Sequence, residues 1–237
     1  MGTKGWVIFA TVAVAVLGGL IYMSGKDKID VSEFNKDAII TANEKNGNIG
    51  DNFLGPKNGK VVLIEYGDFQ CPGCGTAHPR IKALTDRYSD SLVFIFRNLP
   101  LTSIHPNALT AAATAEAAGL QGKYWEMHNK IYESQKEWSS ASIGDRGAIF
   151  RSYAASLNLD LDKFDVDVAS DAVKQKISFD QAIFKATKLK QSTPTFVLNG
   201  ELVPDATWGD DKAFDSFIRE KLTAAGVTLP EETADKE

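Results

Sequence analysis

Two cysteines, Cys71 and Cys74, are the only ones in the 237-residue chain, and a proline and a glycine separate them. Because there is no third cysteine, the two can pair only with each other, with a thiol of another protein, or with a metal ion. They follow a strand-like apolar run and lie where a helix should begin. A dithiol at the start of a helix is typical of proteins that carry out thiol–disulfide exchange. The sequence therefore predicts redox chemistry on the cysteines of other proteins.

The spacing of the motif predicts different roles for the two sulfurs. If Cys71 caps the helix, Pro72 occupies the first helical position, where its missing N–H costs nothing. The N–H groups of Gly73 and Cys74 then face the Cys71 sulfur, and the helix dipole adds to their effect on its thiolate. Cys74 lies further along the helix and is less exposed. We expect Cys71 to be the nucleophile and Cys74 to resolve the mixed disulfide.

Three other uses of the cysteine pair remain open: a structural disulfide, a zinc site, or two thiols in the core. Zinc takes about four ligands, and the remaining candidates are His78, His105 and His128. A disulfide across so short a loop would add little stability. The sequence favours a redox-active Cys71–Cys74 disulfide, with no metal and no separate cofactor.

Length and charge are typical of a folded domain that does not bind nucleic acid. The length suits one domain with appendages or two small domains. There are 26 basic and 31 acidic residues, which gives a net charge of -5. Basic residues do not cluster among aromatic ones, as they would in a nucleic-acid-binding surface.

The pattern of apolar residues predicts an α/β core that positions the motif. Residues 61–66 and 92–97 resemble strands buried on both faces of a parallel sheet, and the helix between them completes a βαβ unit. Asn199-Gly200 is a strong signal for a two-residue turn, so a hairpin is expected around it. Helical spacing predicts further helices over 107–118, 123–138, 142–157, 161–188 and 211–225.

Three further sites bear on the chemistry. Glu65 is the one charged residue of its strand; if the strand is central, the carboxyl is buried with a raised pKa and can relay the proton of Cys74. If the strand lies at an edge, Glu65 is solvated. Pro79 either kinks the helix or ends its first turn. The bond between Thr193 and Pro194 is trans by default, and the pattern alone makes the pair a turn.

The N-terminus contains an apolar run over residues 6–23, close to the roughly 20 residues that span a bilayer. A cleaved signal peptide is the alternative, but it usually has a shorter apolar region and small residues at its end. The segment 22–25, Tyr-Met-Ser-Gly, fits that pattern poorly. We predict an uncleaved signal-anchor helix over 1–23, followed by a polar tether over 24–50.

Residues 65–74, Glu-Tyr-Gly-Asp-Phe-Gln-Cys-Pro-Gly-Cys, resemble the active-site strand and helix start of DsbA-type thiol–disulfide oxidoreductases. Residues 192–196, Ser-Thr-Pro-Thr-Phe, are similar to the cis-proline loop of that family. The resemblance implies a thioredoxin-like fold with an inserted helical domain. The implied organisation is a thioredoxin-like domain over 51–102 and 189–225, an inserted helical domain over 103–188, and an acidic tail over 226–237.

The resemblance also implies roles for individual residues. Cys71 becomes the exposed nucleophile, Cys74 its buried partner and Glu65 the buried acid beneath them. The Thr193–Pro194 bond becomes a cis bond beside the sulfurs, and its backbone pairs with an extended segment of the substrate.

The implied function is a membrane-anchored enzyme on the extracytoplasmic (periplasmic or extracellular) face. It introduces disulfides into cysteine-containing secreted or envelope proteins and is reoxidised by a quinone-linked membrane partner. Strongly oxidising members carry a histidine between the cysteines, whereas Pro72-Gly73 carries no charge, and the candidates for a cation near the site are His78, Arg80 and His105. Two alternatives remain: a disulfide reductase or isomerase with the same residues, and a non-catalytic chaperone or binding module.

Overall fold

The structure, a computed structural model, describes residues 2–26 and 29–229. Within these residues the strands are β1 (Phe53–Leu54), β2 (Val61–Gly67), β3 (Leu92–Asn98), β4 (Thr195–Leu198) and β5 (Glu201–Leu202). The helices are α1 (Thr3–Lys26), α2 (Pro72–Arg87), α3 (Ala108–Gly119), α4 (Tyr124–Glu133), α5 (Gln135–Trp138), α6 (Ile143–Ser156), α7 (Leu161–Ala169), α8 (Asp171–Ala186), α9 (Asp205–Trp208) and α10 (Asp211–Ala224). A 3₁₀ turn spans Glu44–Asn46.

The strands form one mixed sheet in the order β1-β3-β2-β4-β5. Strands β2 and β3 are parallel and are joined by α2, so the predicted βαβ unit is confirmed. Strand β4 runs antiparallel to β2, and the hairpin of β4 and β5 turns at Asn199 and Gly200. These two residues have positive φ angles of 47° and 83°, as a tight two-residue turn requires.

Both faces of the sheet are covered, because successive side chains of a strand point to opposite faces. Leu63 and Phe94 pack into the core cluster that also contains both cysteines. Ile64 and Ile95 pack on the other face against Phe179 and neighbouring residues of α8. Strand β2 is therefore central and buried on both sides, which decides the environment of the acidic residue that it carries.

Helices α3 to α8 lie between β3 and β4 in the chain, and two of them begin where the sequence predicted an unbroken helix. The predicted helix over 123–138 breaks at Ser134 into α4 and α5. The predicted helix over 161–188 breaks at Ser170, where the backbone is extended. The Ser170 side chain accepts a hydrogen bond from the N–H of Val173 and so caps α8. The apolar spacing continues across both breaks, and it therefore does not reveal them.

The N-terminal segment differs from its prediction. Among the residues that the structure describes, none of the helices combines the length and the apolar character needed to cross a membrane. Helix α1 (Thr3–Lys26) covers most of the signal-anchor helix predicted over 1–23, but the described residues do not support its role as a membrane anchor. Residues 29–50, predicted as part of a polar tether, pack against the domain instead, with Val31 and Ile40 buried beside the sheet. Most of the predicted acidic tail lies outside the described residues.

A buried ionic network fixes the end of this segment to the sheet and to α8. The Asp51 carboxylate contacts the Arg97 guanidinium at 2.8 Å and the Lys176 ammonium at 3.1 Å. Lys176 also contacts Asp180 at 2.6 Å. All four side chains are almost completely buried. Because buried charges are costly without partners, the network holds these elements in one arrangement.

Candidate active site

The cysteines lie at the junction between the end of β2 and the start of α2. Cys71 is the N-cap residue, with an extended backbone, and Pro72 takes the first helical position. The carbonyl of Cys71 accepts the first helical hydrogen bond, from the N–H of Gly75 at 3.1 Å. Helix α2 continues through Pro79 to Arg87, so Pro79 does not end its first turn.

The two sulfurs differ in burial, and both are free thiols in this structure. Cys74 is 0% exposed and Cys71 is 9% exposed. The resemblance implied an openly exposed nucleophile, whereas Cys71 is only the more accessible of two buried thiols. Its Sγ lies 3.2 Å from the carbonyl oxygen of Thr193, to which the protonated thiol donates a hydrogen bond. The side chain is therefore covered by the loop that carries Thr193.

The loop that faces the cysteines contains a cis peptide bond between Thr193 and Pro194. The chain pattern alone made this pair a turn, and only the family resemblance implied the cis form. The loop approaches the helix start at Gly73 very closely. A Cβ atom on Gly73 would lie 3.2 Å from Cδ of Pro194 and 3.6 Å from Sγ of Cys71. A side chain at position 73 would therefore crowd the contact between helix and loop.

Hydrogen bonding and burial shift the pKa values of the two thiols in opposite directions. The hydrogen bond from the Cys74 thiol, helped by the side chain of Thr193 and by the backbone N–H groups of Cys74 and Gly73, lowers the pKa of Cys71 from 9.0 to about 5 in spite of partial burial. Burial raises the pKa of Cys74 well above its ordinary value, and its hydrogen bond to Cys71 adds to the effect. At neutral pH Cys71 is a thiolate and Cys74 keeps its proton.

Glu65 lies in the central strand β2 and shares the face of the sheet that contacts the cysteines. It is 2% exposed, so the alternative of a solvated edge residue is wrong. Burial, together with the negative charge on Cys71, raises the pKa of Glu65 to about 8. The carboxyl is therefore largely protonated at neutral pH and able to give a proton to a nearby group.

Asp68 has a role that the sequence did not suggest. Its backbone N–H points at Sγ of Cys74 at 3.5 Å. Its buried carboxylate accepts hydrogen bonds from the N–H groups of Gln70 and Leu101, both at 2.8 Å, and contacts Nδ1 of His105 at 2.7 Å. Asp68 thus fixes the loop between β2 and α2 to the start of the helical insertion. Asp68 lies within residues 65–74, but the sequence analysis assigned no role to it.

The helical insertion also holds the loop that precedes Cys71. Nε2 of Gln135 donates to the carbonyl oxygens of Phe69 and Cys71 at 2.7 and 2.9 Å. Oε1 of Gln70 accepts a hydrogen bond from the N–H of Asn107 at 2.6 Å. Nothing in the local sequence around Gln135 connects it with the distant cysteines.

The three residues that the sequence offered as a cation near the site are engaged or neutral. Arg80 forms an ion pair with Asp211, and His105 contacts Asp68. Burial lowers the pKa of His78 to about 4, so this ring is uncharged at neutral pH. The low pKa of Cys71 consequently comes from hydrogen bonds of the Cys74 thiol, the Thr193 side chain and the N–H groups at the helix start. Across the described part of the chain, no group of three or more His, Cys, Asp or Glu side chains is placed to hold a metal ion.

The fold and this site define a class: a thioredoxin-like α/β fold with a helical insertion and a paired-cysteine motif at the start of its first core helix. A family model described as Thioredoxin matches residues 47–220. The match covers well over half of the chain, and the chain belongs to this family.

Solved structures of thiol–disulfide oxidoreductases share the fold. BdbD from Bacillus subtilis has a TM-score of 0.64 at 17% identity, with 80% of this chain and 100% of that chain covered. The α-DsbA1 protein of Wolbachia pipientis has a TM-score of 0.62 at 21% identity, with 74% and 92% covered. A thioredoxin-like oxidoreductase from Silicibacter pomeroyi has a TM-score of 0.56 at 24% identity, with 71% and 92% covered. At these identities the likeness shows the fold alone.

Curated relatives match only a part of much longer proteins. The Na(+)/H(+) antiporter NhaA 1 of Salinispora arenicola is 39% identical over 152 residues, which is 63% of this chain and 22% of that protein. NhaA 1 of Mycolicibacterium vanbaalenii is 36% identical over 154 residues, with 63% and 23% covered. The chain thus spans about a fifth of the length of these relatives, whose names describe the whole proteins.

Proposed function

We propose that this protein is a thiol–disulfide oxidoreductase that introduces disulfide bonds into extracytoplasmic proteins through Cys71 and Cys74. Its substrates are cysteine-containing secreted or envelope proteins. A quinone-linked membrane protein reoxidises it on the extracytoplasmic side. Membership of the thioredoxin family and the likeness to solved oxidoreductases support redox activity in general, and the site supports the more specific proposal.

The observation that carries the proposal is the opposite acid–base character of the two thiols. Cys71 accepts hydrogen bonds at the helix start and has a pKa of about 5. Cys74 is fully buried and keeps its proton. Two structural or core thiols have no need of this difference, whereas disulfide exchange needs one reactive sulfur and one protected sulfur.

The reaction begins with the Cys71–Cys74 disulfide of the oxidised protein. A substrate thiolate attacks Sγ of Cys71, and the electron pair of the broken S–S bond passes to Sγ of Cys74, which takes up a proton. Glu65, buried on the same face of the sheet, is protonated at neutral pH and is our candidate for the donor. A second substrate thiolate then attacks the substrate sulfur of the mixed disulfide, and Cys71 leaves as a thiolate.

The direction of electron flow follows from the leaving group. Thiols of low pKa leave faster, and a stabilised reduced form makes a dithiol pair a stronger oxidant. The low pKa of Cys71 means that its thiolate is stable in the reduced protein. This stability makes Cys71 a better leaving group and also makes the pair a stronger oxidant. We therefore favour donation of disulfides over a reductase or isomerase role.

The test is the reduction potential of the pair in the full chain, equilibrated with glutathione buffers. The proposal predicts a value closer to about -120 mV than to about -270 mV, which is the thioredoxin end of the range. A value at the thioredoxin end would instead assign the protein to the reductases. The companion assay is oxidation of a reduced peptide that contains two cysteines.

Serine variants test the two roles. Cys71→Ser should abolish peptide oxidation, and full activity in this variant would contradict the proposal. Cys74→Ser, mixed with the oxidised form of the peptide, should accumulate a mixed disulfide in which the Cys71 thiolate has displaced one peptide sulfur as a thiolate, since the resolving thiol of Cys74 is missing. A chaperone role predicts a different outcome, in which a variant with both cysteines changed to alanine still prevents aggregation of an unfolded client and the wild type turns over thiols negligibly.

A further inference from the structure

Four buried polar atoms lie between α2 and α4 without a hydrogen-bond partner among the described residues. They are Nε2 of His78, Nε2 of His128 and the hydroxyl oxygens of Tyr124 and Tyr132. All four side chains are more than nine-tenths buried. Buried polar groups are nearly always paired with protein atoms or with ordered water, and each exception requires an explanation. We name these residues the α2–α4 polar cluster.

The rings of the cluster contact one another inside an apolar wall. The centroid of His78 lies 5.5 Å from that of His128 and 5.1 Å from that of Tyr132, and the latter two lie 5.0 Å apart. Phe69 packs on Tyr132 at 4.9 Å, and Phe96 packs on His128 at 4.8 Å. The rings of His78, His128 and Tyr132 are thus packed together and shielded from bulk solvent.

The cluster adjoins the buried thiol. His78 follows Cys74 by four residues on α2, so the two side chains lie on the same face of the helix, one turn apart. Tyr132 packs against Phe69, and the preceding residue, Asp68, directs its N–H at Sγ of Cys74. Burial, and after it the charge of Cys74, raises the pKa of Tyr132 well above its ordinary value.

Both histidines are neutral, which suits them to bind water. Burial lowers the pKa of His78 to about 4 and that of His128 to about 3. A neutral imidazole has one donor and one acceptor nitrogen, and a tyrosine hydroxyl can do both. A buried water molecule needs about two to four such partners. The other titratable or charged groups around the cluster and Cys74 are Glu65, Asp68, Cys71 and Lys82, together with Glu116, Asp180 and Asp51 on the side of Tyr124.

We propose that the α2–α4 polar cluster holds buried water next to Cys74, and that this water carries the proton which Cys74 loses and gains during disulfide exchange. Tyr132 and His78 are positioning residues that act through the water. The inference rests on the proposed function, in which Cys74 is the resolving thiol. It gives the proton of Cys74 a second route, on the side of α4, in addition to the route through the buried Glu65 in the sheet.

The reaction of the reduced full chain with oxidised glutathione separates the two thiols. In the first phase the Cys71 thiolate attacks glutathione disulfide and forms a mixed disulfide, releasing one glutathione thiolate. In the second phase Cys74 passes its proton through the water towards solvent and attacks Sγ of Cys71, and the other glutathione leaves with the electron pair and takes up a proton from solvent. Rapid acid quenching and mass spectrometry follow both phases as a function of pH.

Tyr132→Phe removes only the hydroxyl, and His78→Gln keeps polar atoms but not the ring. We expect both variants to slow the second phase about ten-fold. This is smaller than the roughly 10²–10⁴-fold rate enhancement that a complete general acid–base group typically supplies. The rising limb of its pH profile should also move to higher pH, while the first phase stays unchanged. Tyr153→Phe is the matched control, because its hydroxyl bonds to Glu137 at 3.0 Å outside the cluster; both phases should keep their wild-type rates.

A second phase within two-fold of wild type, with an unmoved pH profile, in both Tyr132→Phe and His78→Gln would overturn the inference. A loss of folding alone would change both phases and leave the pH limb in place. Magnetisation transfer from water to the ring N–H groups of His78 and His128 in histidine-labelled protein tests for bound water without any redox step. Absence of transfer overturns the inference by itself, whereas a wild type that shows neither phase overturns the proposed function.

Discussion

Replacement of Cys74 tests why Cys71 is acidic. The hydrogen bond from the Cys74 thiol is the largest cause that lowers the pKa of Cys71 to about 5. Cys74→Ala removes this donor and leaves the backbone N–H groups in place. A hydrogen bond to a charged group contributes about 1.5–3 kcal/mol, and each pH unit of pKa change corresponds to about 1.4 kcal/mol. We therefore expect the pKa of Cys71 to rise by about 1–2 pH units in Cys74→Ala.

Cys74→Ser is the matched control, because the serine hydroxyl can still donate to Cys71. Each variant contains a single thiol, so the ultraviolet absorbance of the thiolate as a function of pH reports on Cys71 alone. The Ser variant should titrate closer to the wild type than the Ala variant does. If both variants titrate at the wild-type midpoint, Thr193 and the N–H groups at the helix start account for the low pKa and the reasoning is refuted.

The same pKa makes the stability of the reduced protein depend on pH. Folding lowers the pKa of Cys71 from 9.0 to about 5. The thiolate therefore stabilises the folded protein fully when the pH is above the pKa of the unfolded chain, and this stabilisation is lost as the pH falls through the pKa of the folded protein. At pH 7 the linkage amounts to about 2.7 kcal/mol, and solvent screening at this partly buried sulfur reduces it to roughly 1–2 kcal/mol. Urea unfolding should show a gap between reduced wild type and Cys71→Ser that widens from pH 4 to pH 8. A constant gap would contradict the low pKa.

Two further variants test the framework around the site. Lys176→Met leaves two buried carboxylates without their shared cation and should cost about 3–5 kcal/mol of unfolding free energy by urea titration, whereas the exposed Lys174→Met should cost less than about 0.5 kcal/mol. Gly73→Ala places a methyl group 3.2 Å from the facing proline ring and should lower stability by about 1 kcal/mol or more. Gly147→Ala, in open space on α6, should raise stability by about 0.5–1 kcal/mol, and equal thermal shifts for the two alanine variants would refute the steric argument.

The elements that could be predicted from the sequence are those with strong local signals. The apolar runs of β2 and β3 predicted buried parallel strands, and Asn199-Gly200 predicted the hairpin. The paired cysteines with Pro72 predicted the helix start. In each case a short stretch of chain contains the physical cause of its own conformation.

The features that could not be predicted depend on contacts between distant parts of the chain. Composition made residues 29–50 a polar tether, yet the backbone carbonyls of Lys36 and Ala38 bind the buried Arg97 guanidinium. Gln135 reaches the cysteine loop from a helix in the insertion. The cis form of the bond before Pro194 has no local sequence signal, and it was implied by the family resemblance alone.

The acidity of Cys71 and the resistance of Cys74 to ionisation are one effect. Burial keeps the proton on Cys74, and this retained proton is the hydrogen bond that stabilises the Cys71 thiolate. No charged residue between the cysteines is needed for this arrangement. When the two sulfurs join in a disulfide, both the donor and the thiolate disappear, so the stabilisation belongs to the reduced state only. A site built in this way favours donation of its disulfide to a substrate. The clearest difference between Cys74→Ala and the wild type should therefore be the pKa of Cys71.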